Sequence, residues 1–117
     1  MSETGIIGSQ ILEHLVGEQL TRSLNVGYVG STAGAVTNPG MAVIRLSDGV
    51  DVTATVTSGV MSVAGQVITL LAVGGAVGGT PASLDEGEQY RIDVTYDKDG
   101  NVDIKNKFFL ACPDEEP

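Results

Sequence analysis

The fold of this chain is decided between residues 84 and 110. The stretch reads Leu84-Asp-Glu-Gly-Glu-Gln-Tyr-Arg-Ile-Asp-Val-Thr-Tyr96, then Asp97-Lys-Asp-Gly-Asn101, then Val102-Asp-Ile-Lys-Asn-Lys-Phe-Phe-Leu110. Apolar and polar residues alternate from Tyr90 to Asp97, and the second half again places most of its apolar residues at alternate positions. Period-two alternation is typical of strands that bury one face. We therefore predict a β-hairpin in this stretch.

The alternation also favours one register for the hairpin, with a three-residue loop of Lys98-Asp99-Gly100. This loop pairs Tyr96 with Val102 on the buried face, whereas a two-residue loop would set Tyr96 opposite the charged Asp103. Gly100 then adopts the left-handed conformation that such loops need, at no Cβ penalty.

Short strands separated by turns account for most of the chain between residue 24 and this hairpin. The predicted strands span 24–29, 41–46, 50–57, 60–64 and 67–71, and a Gly-rich, mobile loop is expected at 73–81. Six or seven short strands with turns every eight to twelve residues predict an all-β fold, an antiparallel immunoglobulin-like β-sandwich, with a small barrel as the second choice. The 117 residues fit one domain.

An apolar stripe with a four-residue spacing lies before the first of these strands. We divide the chain into an N-terminal arm (1–23), helical or extended, a β-sandwich domain (24–112) and an acidic tail (113–117). Glycines within the arm disfavour a stable isolated helix. The stripe belongs either to a short helix docked on its own domain or to an arm that orders against a partner, in which case it forms an interface. Its members are Ile7, Ile11, Leu12, Leu15, Val16 and Leu20.

The net charge of −9, with only six Lys and Arg residues, disfavours binding to nucleic acid or to anionic membranes. The first residues, Met-Ser-Glu-Thr, lack the basic region and long apolar run of a signal peptide, so synthesis in the cytoplasm without such a peptide is expected. A single cysteine, Cys112, excludes an intrachain disulfide and is expected to be a buried or bland thiol, with pairing between chains as the alternative.

No group of residues predicts catalysis, and neither a metal nor another cofactor is expected. Asp97, Asp99, Asn101 and Asp103 resemble the start of an EF-hand calcium loop. Val102 stands where that loop needs glycine and Phe108 where it needs a bidentate glutamate, so a hairpin turn is the better interpretation. The single histidine, His14, lies on the polar side of the stripe and is not expected to act as a base. We expect that the chain is not an enzyme.

Three segments together resemble a known group of proteins. They are Asp51-Val-Thr-Ala-Thr-Val-Thr-Ser-Gly59, Val63-Ala-Gly-Gln-Val-Ile-Thr-Leu70, and Leu84 followed by Gly87-Glu-Gln-Tyr-Arg-Ile-Asp-Val-Thr-Tyr96. Their order is similar to that in small β-sandwich structural proteins of tailed bacteriophage virions, of the fibre–tail adaptor, neck or head-decoration type. The resemblance implies a non-enzymatic virion component, present in many copies or as a homo-oligomer, held by contacts with other virion proteins. The alternative is an immunoglobulin-like binding or adhesion module of a bacterial cell surface.

Overall fold

Two four-stranded sheets dominate the part of the chain that the computed structural model describes, namely residues 11–27, residues 34–113 and the backbone of residues 2–6. The first sheet has the order β1 (Ser2–Ile6), β3 (Thr21–Asn25), β7 (Val67–Thr69), β6 (Ser62–Ala64). The second has the order β2 (Ile11–Glu13), β10 (Asn101–Ala111), β9 (Gln89–Lys98), β4 (Val36–Arg45). A smaller pair joins β5 (Thr57–Ser58) to β8 (Ala72–Val73), and α1 is a single helical turn (Thr53–Val56).

Both sheets contribute to one hydrophobic core. Leu24 and Ile68 from the first sheet belong to the same buried cluster as Ile92 and Leu110 from the second. Pairing is antiparallel except between β1 and β3 and between β2 and β10. Two sheets that share a core, with the last two long strands side by side in one of them, form an immunoglobulin-like β-sandwich. The predicted fold class is confirmed.

Tyr90 fixes the start of β9. Its hydroxyl accepts a hydrogen bond of 2.8 Å from the backbone N–H of Asp85, the arrangement known in such sandwiches as a tyrosine corner. Leu84 is buried beside this turn, and Gly87 has a φ of 81°. Burial of the ring raises the pKa of Tyr90 to about 12. The hydroxyl therefore stays protonated up to strongly alkaline pH.

The hairpin forms where it was predicted, but its register differs. A two-residue turn, Asp99-Gly100, joins β9 to β10 with φ angles of 55° and 77°. A bulge between Asn101 and Ile104 then adds a residue to β10, so that Tyr96 pairs with Ile104 and not with Val102. The three-residue loop is therefore wrong. The observed pairing is displaced by two residues, so Ile104, Phe108 and Leu110 keep the inward face that the alternation assigned to them, whereas Val102, predicted on the buried face, lies in the bulge and is 70% exposed.

Lys98 is the last residue of β9 and does not lie in the loop. The alternation that buries Tyr90, Ile92, Val94 and Tyr96 continues to Lys98, which is only 2% exposed. Its ammonium group donates a hydrogen bond of 2.8 Å to the backbone carbonyl of Val26. This bond offsets part of the cost of burying the charge.

Asp97 ties the central strand β9 to irregularities in both neighbouring strands. One carboxylate oxygen accepts a hydrogen bond of 2.7 Å from the side chain of Asn38 in β4, and the other accepts one of 2.9 Å from the backbone N–H of Asp103 in β10. Asn38 and Asp103 both have positive φ angles, 53° and 55°, and lie where the pairing with β9 shifts register. The bond from Asn38, followed by that from Asp103, lowers the pKa of Asp97.

The described part of the N-terminal arm is extended, not helical. β2 pairs in parallel with β10, and Leu20 forms a bridge with Val73. Leu20 is buried, and Leu12 and Val16 pack against the core. β3 begins at Thr21, so residues 11–23 belong to the sandwich and do not extend away from it.

His14, expected on a polar surface, is completely buried and holds the connection between β2 and β3. Its Nδ1 lies 3.0 Å from the guanidinium of Arg22, which can only donate, so Nδ1 accepts. Nε2 therefore carries the proton and donates to the carbonyl of Glu18 at 2.8 Å. Gly74 lies so close to this carbonyl and to the imidazole that an added Cβ would clash with both.

The strand predicted over 50–57 is wrong, because residues Thr53–Val56 form a helical turn. The carboxylate of Asp51 accepts hydrogen bonds from the backbone N–H and the hydroxyl of Thr53, at 2.9 Å and 2.6 Å. These bonds lower the pKa of Asp51, with the hydroxyl as the larger cause. Hydrogen bonds from a side chain to the backbone of the second residue after it compete with strand pairing. At Asp51 they favour the helical turn over the strand.

The remaining turns and loops agree better with those predicted from the sequence. β6 and β7 form the expected hairpin around Gly65, which has a φ of 60°. The Gly-rich loop at 73–81 is irregular, but Gly74 and Gly75 within it are buried. The tail residues 114–117 and the end of the strand predicted at 24–29 lie outside the described residues.

Deletion of residues 1–22 is expected to prevent folding. It removes β1, β2 and the start of β3, together with the apolar area of Leu12, Val16 and Leu20. Burial of one such side chain contributes up to roughly 1.5–3 kcal/mol, and a domain has only about 5–15 kcal/mol in total. Circular dichroism of the truncated chain should show no cooperative unfolding. A truncated chain with an intact β-sheet spectrum would contradict this.

The variant Asp97→Asn should unfold at a lower temperature than the wild type at neutral pH, because an amide NH2 cannot accept the bond from Asn38. Folding lowers the pKa of Asp97. The carboxylate therefore contributes fully to the stability of the fold above its unfolded pKa of about 4, and this contribution is lost as the pH falls through the lower pKa of the folded state. The two melting temperatures should therefore converge as the pH falls below about 4. A difference that stayed constant over this range would show that the carboxylate charge has no part in it.

Candidate functional site

The outer face of the second sheet carries an unusual combination of apolar and cationic side chains. On all four strands, every second residue points away from the core toward this face. We call this surface the docking face. Its residues are Ile11, Ile44, Arg91, Asp93, Lys105, Lys107 and Phe109.

One row of the docking face is mainly apolar and crosses the whole sheet. Ile11 pairs with Phe109, Phe109 with Arg91, and Arg91 with Ile44. Ile11 is 69% exposed, and Phe109 and Ile44 are half-buried. Ile44 and Phe109 thus flank Arg91, and Ile11 extends the row beyond Phe109, so the row has the apolar character with an arginine that is typical of the centre of a protein interface.

The next rows toward the hairpin turn are polar. Lys107 pairs with Asp93, and Lys105 pairs with Thr95. Arg91 donates to Asp93 through Nε, at 2.9 Å and 3.1 Å to the two carboxylate oxygens. These side chains, together with Asn106, line an open depression of about 500 Å³.

Three of the six Lys and Arg residues lie on the docking face. The other three are either buried or paired with acidic residues near the β4–α1 turn. Of the six Lys and Arg residues, Arg22 and Lys98 are buried. Arg45 forms ion pairs with Asp48 at 2.7 Å and with Asp85 at 3.3 Å. Its hydrogen bond to Asp48 raises the pKa of Arg45 and lowers that of Asp48. The remaining three cations lie on the docking face, where they outnumber the carboxylates of Asp93, which is paired with Arg91, and of Glu13, which follows Ile11 by two residues on β2.

The six residues predicted as an interface do not share one surface. Ile11 lies on the docking face, whereas Leu12, Val16 and Leu20 pack on or within the core. Leu15 is half-buried in the connection between β2 and β3. Ile7 lies outside the described residues.

The described residues contain no cluster of three or more His, Cys, Asp and Glu side chains that could hold a metal ion. In the hairpin turn that resembles a calcium loop, the carboxylate of Asp97 is directed to Asn38 and to the backbone of Asp103. Cys112 is buried, and its sulfur lies 3.9 Å from the carbonyl of Leu84. In the same part of the chain, no helix has the length and apolar character to cross a membrane.

Comparison with known proteins bears on the fold alone. No protein-family model matches the chain, and no curated protein matches it. Among solved structures, the chain is similar to the ZIG-8 IG1 homodimer, with 12% identity over 90% of this chain and 79% of the other and a TM-score of 0.44. It is also similar to the cysteine protease inhibitor EhICP2 from Entamoeba histolytica, with 11% identity over 95% of this chain and 96% of the other and a TM-score of 0.45. The class defined by the topology is the immunoglobulin-like β-sandwich.

Sequence reasoning did not identify the docking face, although a signal was present. The alternation that buried Phe108 and Leu110 places Phe109 between them on the opposite face, where a large aromatic residue is unexpected. The second signal is the small number of cations, of which Arg91, Lys105 and Lys107 lie within the predicted hairpin. Their common location depends on the pairing of β9 with β10, which the spacing of residues does not give.

The two adjacent residues of β2 should respond differently to the same substitution. Ile11→Thr removes an exposed side chain and keeps β-branching, so the free energy of unfolding should change by no more than about 0.5 kcal/mol. Leu12→Thr removes a side chain that packs against the core and should cost about 1–3 kcal/mol. Urea unfolding measures both values. Equal losses would show that Ile11 is part of the core and not of a docking surface.

Proposed function

We propose that this protein is a non-enzymatic structural component of a bacteriophage virion, of the head-decoration, neck or tail and fibre adaptor type, and that it acts through protein–protein contacts. The observation that carries the proposal is the docking face, where an apolar strip and three cations occupy the outer side of a rigid sheet. The resemblance of residues 63–70 and 84–96 to small virion proteins supports the virion as the setting, whereas residues 51–59 contain a helical turn and do not contribute to that support.

The geometry of the docking face suits contact with another protein. Interfaces combine an apolar centre with a polar rim, and the row through Phe109 lies beside the polar rows of Lys107 and Lys105 in the same way. The face is built on paired β-strands, so little conformational entropy is lost when a partner binds.

A small domain in a virion functions in many copies. The docking face spans four strands of a chain that measures 47 × 24 × 22 Å, so a single contact through it is small. Contacts that repeat by symmetry add up because each neighbour raises the effective concentration of the next. A modest face on each copy is therefore sufficient in an assembly.

The test is fractionation of the strain that carries the gene. After phage induction or infection, particles are purified on a density gradient and the chain is quantified by mass spectrometry in particles, cell envelope and soluble extract. The proposal expects the chain in particles at a fixed ratio to the major capsid protein. Particles made with the variant Phe109→Ser should contain less of it, whereas Val60→Ser, at an exposed valine away from the docking face, should leave the ratio unchanged.

Each location of the chain after fractionation leads to a different conclusion. A chain found in the cell envelope would overturn the proposal in favour of an adhesion or binding module of the cell surface. A chain found only in the soluble extract would overturn both. Normal incorporation of Phe109→Ser would retain the virion but remove the docking face as the means of attachment.

A further inference from the structure

We infer that the docking face receives the acidic hairpin tip of a second copy of this chain, so that copies associate head to tail. This inference rests on the proposed function and names the partner of its contact surface. The hairpin tip comprises residues 97–103, at the turn between β9 and β10. It is the chemical complement of the docking face, because it joins carboxylates to an exposed aliphatic side chain.

The hairpin tip is negatively charged. Asp97, Asp99 and Asp103 contribute three carboxylates, and Asp99 and Asp103 are exposed. Lys98 is the single cation within the tip, and it is buried with its ammonium on the carbonyl of Val26. The hydrogen bonds that Asp97 accepts come from neutral groups and lower its pKa, so its charge is retained.

The apolar part of the tip is Val102, which is 70% exposed. It precedes Asp103 directly, so an aliphatic side chain and a carboxylate project from neighbouring positions. On the docking face, Phe109 and Lys107 are two residues apart on one strand, about 7 Å along it. A tip laid across the face can therefore bring Val102 to the apolar row and Asp103 to Lys107 together.

The contact must be between molecules. The tip and the docking face belong to the same paired strands, and β9 is fixed between β4 and β10 along its length. A paired strand cannot fold back on its own outer face. The tip of one copy can reach a docking face only on another copy.

Charge decides between a second copy and other occupants. Two docking faces brought together would bring Lys105 and Lys107 of both copies together, which disfavours a symmetric face-to-face dimer. A nucleic acid is disfavoured because its affinity depends on the number of phosphates neutralised, and the face offers only three cations, one of which is already paired with Asp93. The tip carries the opposite charge and is present at the same concentration as the face.

The experiment is sedimentation equilibrium of the purified chain up to about 1 mM, at about 20 mM and 500 mM salt. The wild type should show a mass that rises with concentration in low salt, and high salt should weaken association about tenfold or more. The face variant Lys105→Glu/Lys107→Glu and the tip variant Asp99→Asn/Asp103→Asn should each weaken it about tenfold. Asparagine tolerates the positive φ of both tip positions, so the turn is kept. The control Glu86→Gln/Glu88→Gln removes two charges outside the tip and should associate like the wild type.

Mixing the two variants separates head-to-tail contact from symmetric contact. The face variant retains an intact tip and the tip variant an intact face, so an equimolar mixture should form 1:1 dimers with an affinity close to that of the wild type. Failure of the mixture to associate would overturn the head-to-tail contact, as would wild-type association in both variants. A wild-type chain that stays monomeric at every concentration would overturn self-association, while the proposed virion role would still stand or fall by fractionation.

Discussion

The double pairing of β9 is the constraint on which the rest of the structure depends. This strand pairs along its length with β4 on one side and β10 on the other. Its inward side chains supply much of the core, and its outward side chains form the middle of the docking face. The carboxylate of Asp97 binds donors on both neighbours, at the points where their pairing with β9 is irregular. Asp97 thus stabilises the irregularities in both β4 and β10, which set the register of each strand with β9.

The sequence predicted the hairpin and its buried face because period-two alternation is a local property that survives a shift of two residues. It did not predict the register, since a bulge at Val102 and Asp103 leaves no mark on the alternation. The helical turn at Thr53 was hidden by a pattern that also fits a strand, and the bonds from Asp51 decided between them. The stripe before residue 21 was ambiguous because a spacing of four residues keeps side chains on one side of an extended chain as well as of a helix.

The candidate site was harder to predict than the fold because it depends on which cations are already occupied. Arg45 is engaged by Asp85, forty residues away in sequence, and Lys98 is buried against Val26. Neither contact follows from composition or spacing. Once both are known, the positive charge of the outer face and the negative charge of the hairpin tip become visible as two regions of one acidic chain.

The core also has a chemical consequence for the conditions in which the chain can fold. In antibody domains the residue two places after the corner tyrosine is a cysteine that joins the two sheets through a disulfide. Here that residue is Ile92, which belongs to the same buried cluster as Leu24 and Ile68 of the opposite sheet. Apolar packing, with no covalent cross-link, therefore holds the sheets together. The fold is thus independent of the thiol–disulfide balance of its surroundings, and reductants have no bond in it to break.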